Sequence, residues 1–438
     1  MPIKDKSNYQ HVSSRRQFLK TASIVAAASG VATNAMSQTA TPHVGGRDTL
    51  RIGVVGCGGR GTGAVLDALQ ADPHIQLTAI ADVFGDRIDL CLQSLAQEKD
   101  VAGKIDVPKK RQFSGFNAYQ ELIESGVDVV LLATPPHFRP LHLRAAIEGG
   151  KHVFCEKPVA VDAPGVRSVL ESCRRANERK LSIVSGLCYR DDPGFNEAID
   201  RIHDGEIGEV RTLYANDYRG TLWEKPRQHI WSDMENQLRN WYYYTWLSGD
   251  FNVEQHIHFL DVCAWVKQSY PDRAIGIGGR QARTQEKYGN IYDHHSVTYE
   301  YLDGTRLVSN CRQQAGCSTD TRSFVQGSHG CANLDDGNTF IDAEGKWRYR
   351  KKRGQKSIYQ LEHDRLFSSI RNGRPVNDGE YMSNSTLLAI MGRMATYTGE
   401  AVTWEQAMNS KEDLSPPEYA WGDAPEVVIA VPGVTELI

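Results

Sequence analysis

The sequence predicts a two-part α/β protein, a doubly wound parallel sheet followed by an α+β domain with a large, mostly antiparallel open sheet. Three features predict it. Strand-like apolar runs alternate with helical patterns from Leu50 to about residue 187. A glycine-rich turn follows the first run. Further on, "YDHHSVTYEYLDGTRLVSNCRQ" alternates apolar and polar residues about an Asp303-Gly304 turn, a strong hairpin signal.

The first run, Leu50 to Val55, turns through Gly56, Gly58 and Gly61 into a helix with apolar positions at Ala64, Val65, Leu66, Ala68 and Leu69. The spacing is G-x-G-x-x-G. Such glycines serve a tight turn, close backbone approach to pyrophosphate, and helix–strand packing. The phosphates then meet free N–H groups at a helix N-terminus. A second strand, "IQLTAIADVF", delivers Asp82 21 residues beyond Gly61, where a carboxylate accepts hydrogen bonds from ribose hydroxyls. Together these define a Rossmann dinucleotide fingerprint. A carboxylate at position 82 repels the 2′-phosphate of NADP, and the nearest following arginine is Arg87, so NAD is expected over NADP.

The alternation continues with a helix over 87–97, a strand at Gln112 to Phe116, a helix over 117–124 and the buried strand "VDVVLLAT". Then come a helix over 141–148, the strand in "KHVFCEKPVA", a helix over 163–179 and "LSIVSGLCYRDD". Ligands of such sheets lie beyond the carboxyl ends of the strands. There fall Thr134, Pro135, His137, Glu156, Lys157 and Tyr189, which join Gly56, Cys57, Gly58, Gly59, Arg60, Gly61 and Asp82 as site candidates.

Composition bounds the function. The chain has 438 residues, 40% hydrophobic and 24% charged, enough for two cores. A net charge of −4 offers no basic field for nucleic acid, and the run "RYRKKRGQK" reads as a solvated loop. Nine scattered cysteines contain no Cys-x-x-Cys pair, and most of them read as buried thiols. The opening stretch is different. "SSRRQFLK", followed by uncharged "TASIVAAASGVATNA", has the order of a removable export segment and resembles the twin-arginine signal. The expected organisation is a signal peptide over 1–35, a linker over 36–48, an NAD-binding domain over 49–187 and a substrate-binding and oligomerisation domain over 188–438. No membrane anchor is expected after processing.

"VVGCGGRGTG", "ATPPHFRPLHLRAAIEGGKH" and "CEKPVA" together resemble the Gfo/Idh/MocA family, that of glucose–fructose oxidoreductase and inositol dehydrogenase. The resemblance covers nearly the whole chain after the export segment. It implies that Lys157 lies by the nicotinamide and that Pro158 shapes the turn presenting it. Where many relatives carry a histidine after the "TPP" turn, this chain has Arg139, with His137 and His142 nearby. The family's acidic-x-x-x-His pattern is met by Glu254 and His258, with Glu in place of the usual Asp. Read as one helix, "GDFNVEQHIHFLDVCAWV" puts Glu254 and His258 on one face and His256 on another.

Oxidation of an alcohol needs a base for the hydroxyl proton, a role suited to His258. Lys157 would stabilise developing alkoxide charge, and Glu254 would orient the imidazole. Five aromatic residues in six positions from Trp241 to Trp246 suit either core packing or the stacking of a sugar ring. Tyr189, Arg190, Trp241 and Tyr242 are therefore the substrate candidates. His294 and His295 point to opposite sides of a strand, and no metal site is read.

The expected function is a periplasmic oxidoreductase with a resident NAD, acting on a hydroxyl of a sugar, glycoside or cyclitol. The alternative is an NAD-dependent glycoside hydrolase. A silent binding protein is disfavoured by the joint presence of Lys157, Glu254 and His258. The export signal and the fingerprint explain each other, because a dinucleotide needs a folded carrier outside the inner membrane. A homo-oligomer formed through the C-terminal sheet is also expected.

Overall fold

In a computed structural model, residues 48–438 are described. The expected export segment, over 1–35, and most of the expected linker lie outside the described residues. The chain begins with β1 (Leu50–Val55), α1 (Gly59–Ala71), β2 (Ile75–Asp82), α2 (Gly85–Ala96), β3 (Gln112–Ser114) and α3 (Ala118–Glu124). It continues through β4 (Val129–Leu132), α4 (Arg139–Glu148), β5 (His152–Cys155), α5 (Ala163–Glu178) and β6 (Ile183–Ser185). The six strands form one parallel sheet in the order β3-β2-β1-β4-β5-β6, the doubly wound order the alternation predicts.

Burial explains why these runs are strands. In β1 all residues but Arg51 are buried, because helices cover both faces of a parallel sheet. Leu50, Ile52 and Val54 pack with Val65 and Leu69 of α1 on one face. Val55 and Val130 meet Leu122 of α3 and Leu143 of α4 on the other. Each such side chain contributes about 1.5–3 kcal/mol on leaving water.

After α6 (Pro193–His203) the chain enters a second sheet at β7 (Val210–Arg219). A largely helical insertion follows: α7 (Asp233–Arg239), α8 (Thr245–Ser248), α9 (Phe251–Glu254) and α10 (Ile257–Lys267). Then come β8 (Arg273–Gly279), β9 (His294–Glu300), β10 (Arg306–Gln313), β11 (Asp320–Gly327), β12 (Cys331–Leu334), β13 (Phe340–Asp342) and β14 (Lys346–Arg348). The chain closes with α11 (Ile358–Arg371), α12 (Gly379–Thr398), β15 (Val402–Thr403) and α13 (Trp404–Asn409).

The second sheet has nine strands in the order β14-β13-β12-β11-β7-β10-β9-β8-β15. Only the β7–β10 pair is parallel. The β9–β10 hairpin turns at Asp303-Gly304, where Gly304 has φ +87°. On β9, His294 is half-exposed beside Asp293 while His295 is buried against Thr396, so the two point to opposite sides.

Two helices tie the halves together. α12 is buried almost all round, with Leu387, Leu388, Ile390 and Met391 in the same core as α5, α10 and the second sheet. α11 returns to the parallel sheet, placing Leu366, Phe367 and Ile370 in the core beneath α1. None of the helices among the described residues is long and apolar enough to cross a membrane.

Candidate active site

The glycine-rich turn makes the first wall. Gly56 adopts φ +98°, and a Cβ there would stand 2.6 Å from the Ala133–Thr134 backbone. A Cβ on Gly61 would stand 1.8 Å from the Gly56 carbonyl oxygen, so this glycine lets α1 pack against the strand. Around Gly58 and Gly59 the space is open. α1 has no side-chain cap and no acidic residue in its first turn, which leaves its first N–H groups free for an anion. They border a cavity of about 460 Å³ that also touches Asp82, Thr134, Pro135 and Trp241. Open backbone, an uncapped helix start and a carboxylate at the end of β2 fit a dinucleotide.

Asp82 is held rigidly. Its Oδ2 accepts from the Cys57 amide at 2.6 Å and its Oδ1 from the Phe84 amide at 2.9 Å. Burial raises its pKa, and the two amides work against that rise. Arg87 lines the same wall. Asp82→Asn is expected to weaken NAD binding by roughly 10-fold or more, the scale of a lost hydrogen bond to a charged group. NADP binding, freed of charge repulsion, falls less or rises. Titration of nucleotide-free protein with both nucleotides measures the ratio; an unchanged NAD/NADP preference would remove Asp82 from this role.

Several expected contacts take other forms. Cys57 faces the core, its Sγ 3.3 Å from the Ala81 carbonyl and its amide committed to Asp82, so it does not line the cavity. His137 is buried edge-on to Trp246, with Nε2 2.7 Å from the Tyr419 hydroxyl. His142, rather than the expected His137, lines the cavity, with its ring stacked on Tyr119 at 4.3 Å. Burial lowers the pKa of His142 to about 3, so the ring is neutral. Arg139 is fully buried and donates to the Leu132 carbonyl at 3.0 Å.

Beyond β5 the Lys157–Pro158 peptide is cis. Glu156 pairs with Arg60, which joins this turn to the glycine-rich loop. Lys157 reaches the second half of the chain: its Nζ donates to the Glu254 carbonyl at 2.6 Å and to Glu254 Oε1 at 3.2 Å. Both side chains are mostly buried.

The Glu254–His258 relation differs from the one-helix reading. α9 ends at Glu254 and α10 starts at Ile257, so the pair does not share an unbroken i, i+4 face. Tertiary bonds impose the break. Asn252 donates to the Ala389 carbonyl at 2.8 Å, His256 Nε2 pairs with Ser309 Oγ at 2.8 Å, and Asp250, at φ +77°, accepts from the Tyr397 hydroxyl. Glu254 therefore serves Lys157 rather than orienting the imidazole.

His258 stands edge-on to Tyr189 at 5.5 Å, and its Nδ1 has no partner. Burial, then the charges of Lys157, Arg219 and Arg60, push its pKa well below 6.5, so the ring is a neutral base. Tyr189 itself stacks flat on Phe195 at 4.7 Å.

Two substrate candidates turn out to be structural. Arg190 forms a two-pronged ion pair with buried Asp261, at 2.9 and 2.8 Å, and stacks on Trp265 and Tyr381. Tyr242 is buried in the aromatic cluster, its hydroxyl accepting from Gln313 Nε2 at 2.6 Å. Trp241, next to Tyr242 in sequence, does border the cavity, beside half-exposed Trp223.

Two further residues enter from β7. Asp217 is buried, with Oδ1 bound by Arg219 Nε and Oδ2 without a partner. Burial, against the pull of Arg219 and Lys157, raises its carboxyl to about 6. Asp217 and Arg219 share one face of a strand, a spacing visible in "NDYR", and in the fold Asp217 lies within the field of Lys157 and Glu254.

Fold and site together define a Rossmann dinucleotide-binding protein whose second half closes over the strand ends. Residues 50–184 match the family described as "Oxidoreductase family, NAD-binding Rossmann fold", and this segment forms the parallel sheet of an NAD-binding Rossmann fold. The chain is 29% identical over 242 residues to a "Glycosyl hydrolase family 109 protein" of Solibacter usitatus, covering 52% of this chain and 51% of that one. It thus spans about half the length of that relative. It is 26% identical over 292 residues to an "Inositol 2-dehydrogenase" of Acidiphilium cryptum, covering 66% and 74%. The fold is shared with aldose-aldose oxidoreductase from Caulobacter crescentus, at 19% identity and TM-score 0.64, over 81% of this chain and 99% of that one.

Proposed function

We propose that the chain is a periplasmic NAD-dependent oxidoreductase acting on a hydroxyl of a sugar, glycoside or cyclitol. The observation that carries this reading is the contact of Lys157, just beyond β5, with Glu254, which joins the end of the parallel sheet to the α9–α10 segment that holds His258. Bound NAD supplies the hydride acceptor. His258 takes the hydroxyl proton at a ring nitrogen while Lys157 holds the developing alkoxide. Glu254 keeps Lys157 aimed, and Arg219 with Asp217 closes the floor. Retained NAD needs a second substrate to return the hydride. Export in folded form is read from Arg15 and Arg16 in "SSRRQFLK". Tyr214, Ile275 and Ile277, exposed on the second sheet, support a homo-oligomer through that face.

Asp217 favours a second reading, an NAD-dependent glycoside hydrolase. Loss of an aglycone from a transient keto-sugar needs a proton donor for the leaving oxygen and a base for the carbon acid, two roles beyond that of His258. A carboxyl held up to about 6 keeps a protonated fraction near neutral pH. The name of the Solibacter relative points the same way.

One experiment tests both. Protein recovered from the osmotic-shock fluid of expressing cells is expected to release NAD, rather than NADP, on denaturation. Incubated with a panel of free sugars, cyclitols and glycosides, it should form one equivalent of reduced nicotinamide and a keto product. Continuous aglycone release without net reduction would establish the hydrolase. Protein confined to the cytoplasm would refute the location.

A further inference from the structure

The chain beyond α13, residues 410–438, contains no helix or strand, yet it is anchored along its length. It starts where Glu412 pairs with fully buried Arg393 and where the Leu414 amide donates to Asp162 Oδ2 at 3.0 Å. Asp162 caps α5 of the parallel sheet. The segment then crosses to the insertion of the second half. There the Gly422 carbonyl accepts from the Met234 amide at 3.0 Å, and the Pro425 carbonyl accepts from Gln237 Nε2 at 3.0 Å. Met234 and Gln237 belong to α7, whose last residues, Leu238 and Arg239, border the dinucleotide cavity.

Between these anchors stand two aromatic residues. Trp421 lies 5.7 Å from Phe84 and 5.0 Å from Phe116, ring centre to ring centre. Tyr419 lies 6.2 Å from Phe116 and 5.7 Å from Phe138, and its hydroxyl meets His137 Nε2. Phe84, Phe116 and Phe138 line the cavity itself, and Phe84 follows Asp82 by two residues. That is the adenosine end, where the carboxylate after the second strand meets the ribose. Arg239 closes it from α7, its guanidinium 4.0 Å from the Phe84 ring centre and its Nη atoms 3.1 Å from Asp86.

We propose that residues 414–425 form a clasp of the dinucleotide site, in which Tyr419 and Trp421 lock the aromatic wall at the adenosine end and make NAD a resident rather than an exchanging cofactor. The proposal rests on the reading that this cavity holds NAD. Its physical content is kinetic. Release requires Phe84 and Phe116 to move away from Trp421 and requires α7 to part from residues 422–425, so several ring contacts and hydrogen bonds break before the nucleotide leaves. Nothing in the clasp touches Lys157 or His258, so its effect falls on dissociation.

The test measures NAD retained per chain during dialysis of purified full-length protein, with the nucleotide read by absorbance after acid release. Trp421→Ala acts at a half-exposed ring; Trp421→Ala with Tyr419→Phe removes both the ring and the His137 bond. Val434→Ala, exposed on the same segment but outside the clasp, is the control. The expected result is loss at least 10-fold faster in the two clasp variants, with wild type and Val434→Ala retaining NAD and all four melting at similar temperatures in saturating NAD. Loaded wild type whose clasp variants hold NAD equally long would overturn the clasp alone. Wild type that carries no dinucleotide and takes up none would overturn the cofactor reading and the clasp with it.

Discussion

Lys157→Ala is expected to lower turnover by about 10²-fold or more while NAD stays bound, the scale of one lost donor to a developing oxyanion. An ammonium has three donors. Two are committed to Glu254, through its carbonyl at 2.6 Å and its Oε1 at 3.2 Å, which leaves the third for the reacting oxygen. The residue also joins the two halves of the chain, since Glu254 lies in α9 and Lys157 at the end of β5. Removing it strands a mostly buried carboxylate, so a loss of stability accompanies the loss of rate. Glu254→Gln separates the two effects. It keeps the backbone carbonyl that holds Nζ and an amide oxygen at the second position, and is expected to cost much less turnover. The readouts are kcat with the best substrate of the panel, NAD content and melting temperature. Turnover of Lys157→Ala within threefold of wild type would exclude Lys157 from the chemistry.

What could be read before the fold was known was local. Leu50 to Val55 is a continuous apolar run because both faces of β1 are covered, and the glycine turn after it obeys short-range geometry, so strand, turn and Asp82 fell in place. The Asp303-Gly304 turn betrayed the β9–β10 hairpin for the same reason. What could not be read was set by distant partners. Arg190 belongs to Asp261, 71 residues on, and His137 to Tyr419, 282 residues on. The break between α9 and α10 has no glycine or proline to announce it; Ala389, Ser309 and Tyr397 impose it through hydrogen bonds. Asp217 and Arg219 carry no local signal of a role; their place in the site is set by the pairing of β7 within the second sheet. Aromatic density from Trp241 to Trp246 was visible, but which rings fill the core and which meet the cavity is decided by packing against Gln313, Gln237 and the strap.

The second large effect is expected at His258, where replacement by alanine should reduce turnover by about 10²-fold or more, the range of a lost general base. Its pH dependence distinguishes a base in this setting from a positioning residue. Burial and the nearby cations hold the imidazole well below 6.5. A base with a depressed pKa remains unprotonated as pH falls through 6.5, so the acid limb due to His258 lies below that of an exposed histidine. Asp217, at about 6, titrates in the range where His258 does not. The profile of kcat/KM in wild type is therefore expected to carry an inflection near pH 6 from Asp217. Asp217→Asn should remove that inflection and leave the lower one. His256→Ala is the comparison for folding: its ring is buried on Ser309 with its pKa held down to about 3, and its loss should lower the melting temperature. If Asp217→Asn leaves the profile unchanged and a limb at 6.5 disappears in His258→Ala, then His258 titrates as an exposed imidazole, and its burial near Lys157, Arg219 and Arg60 is not the setting in which catalysis takes place.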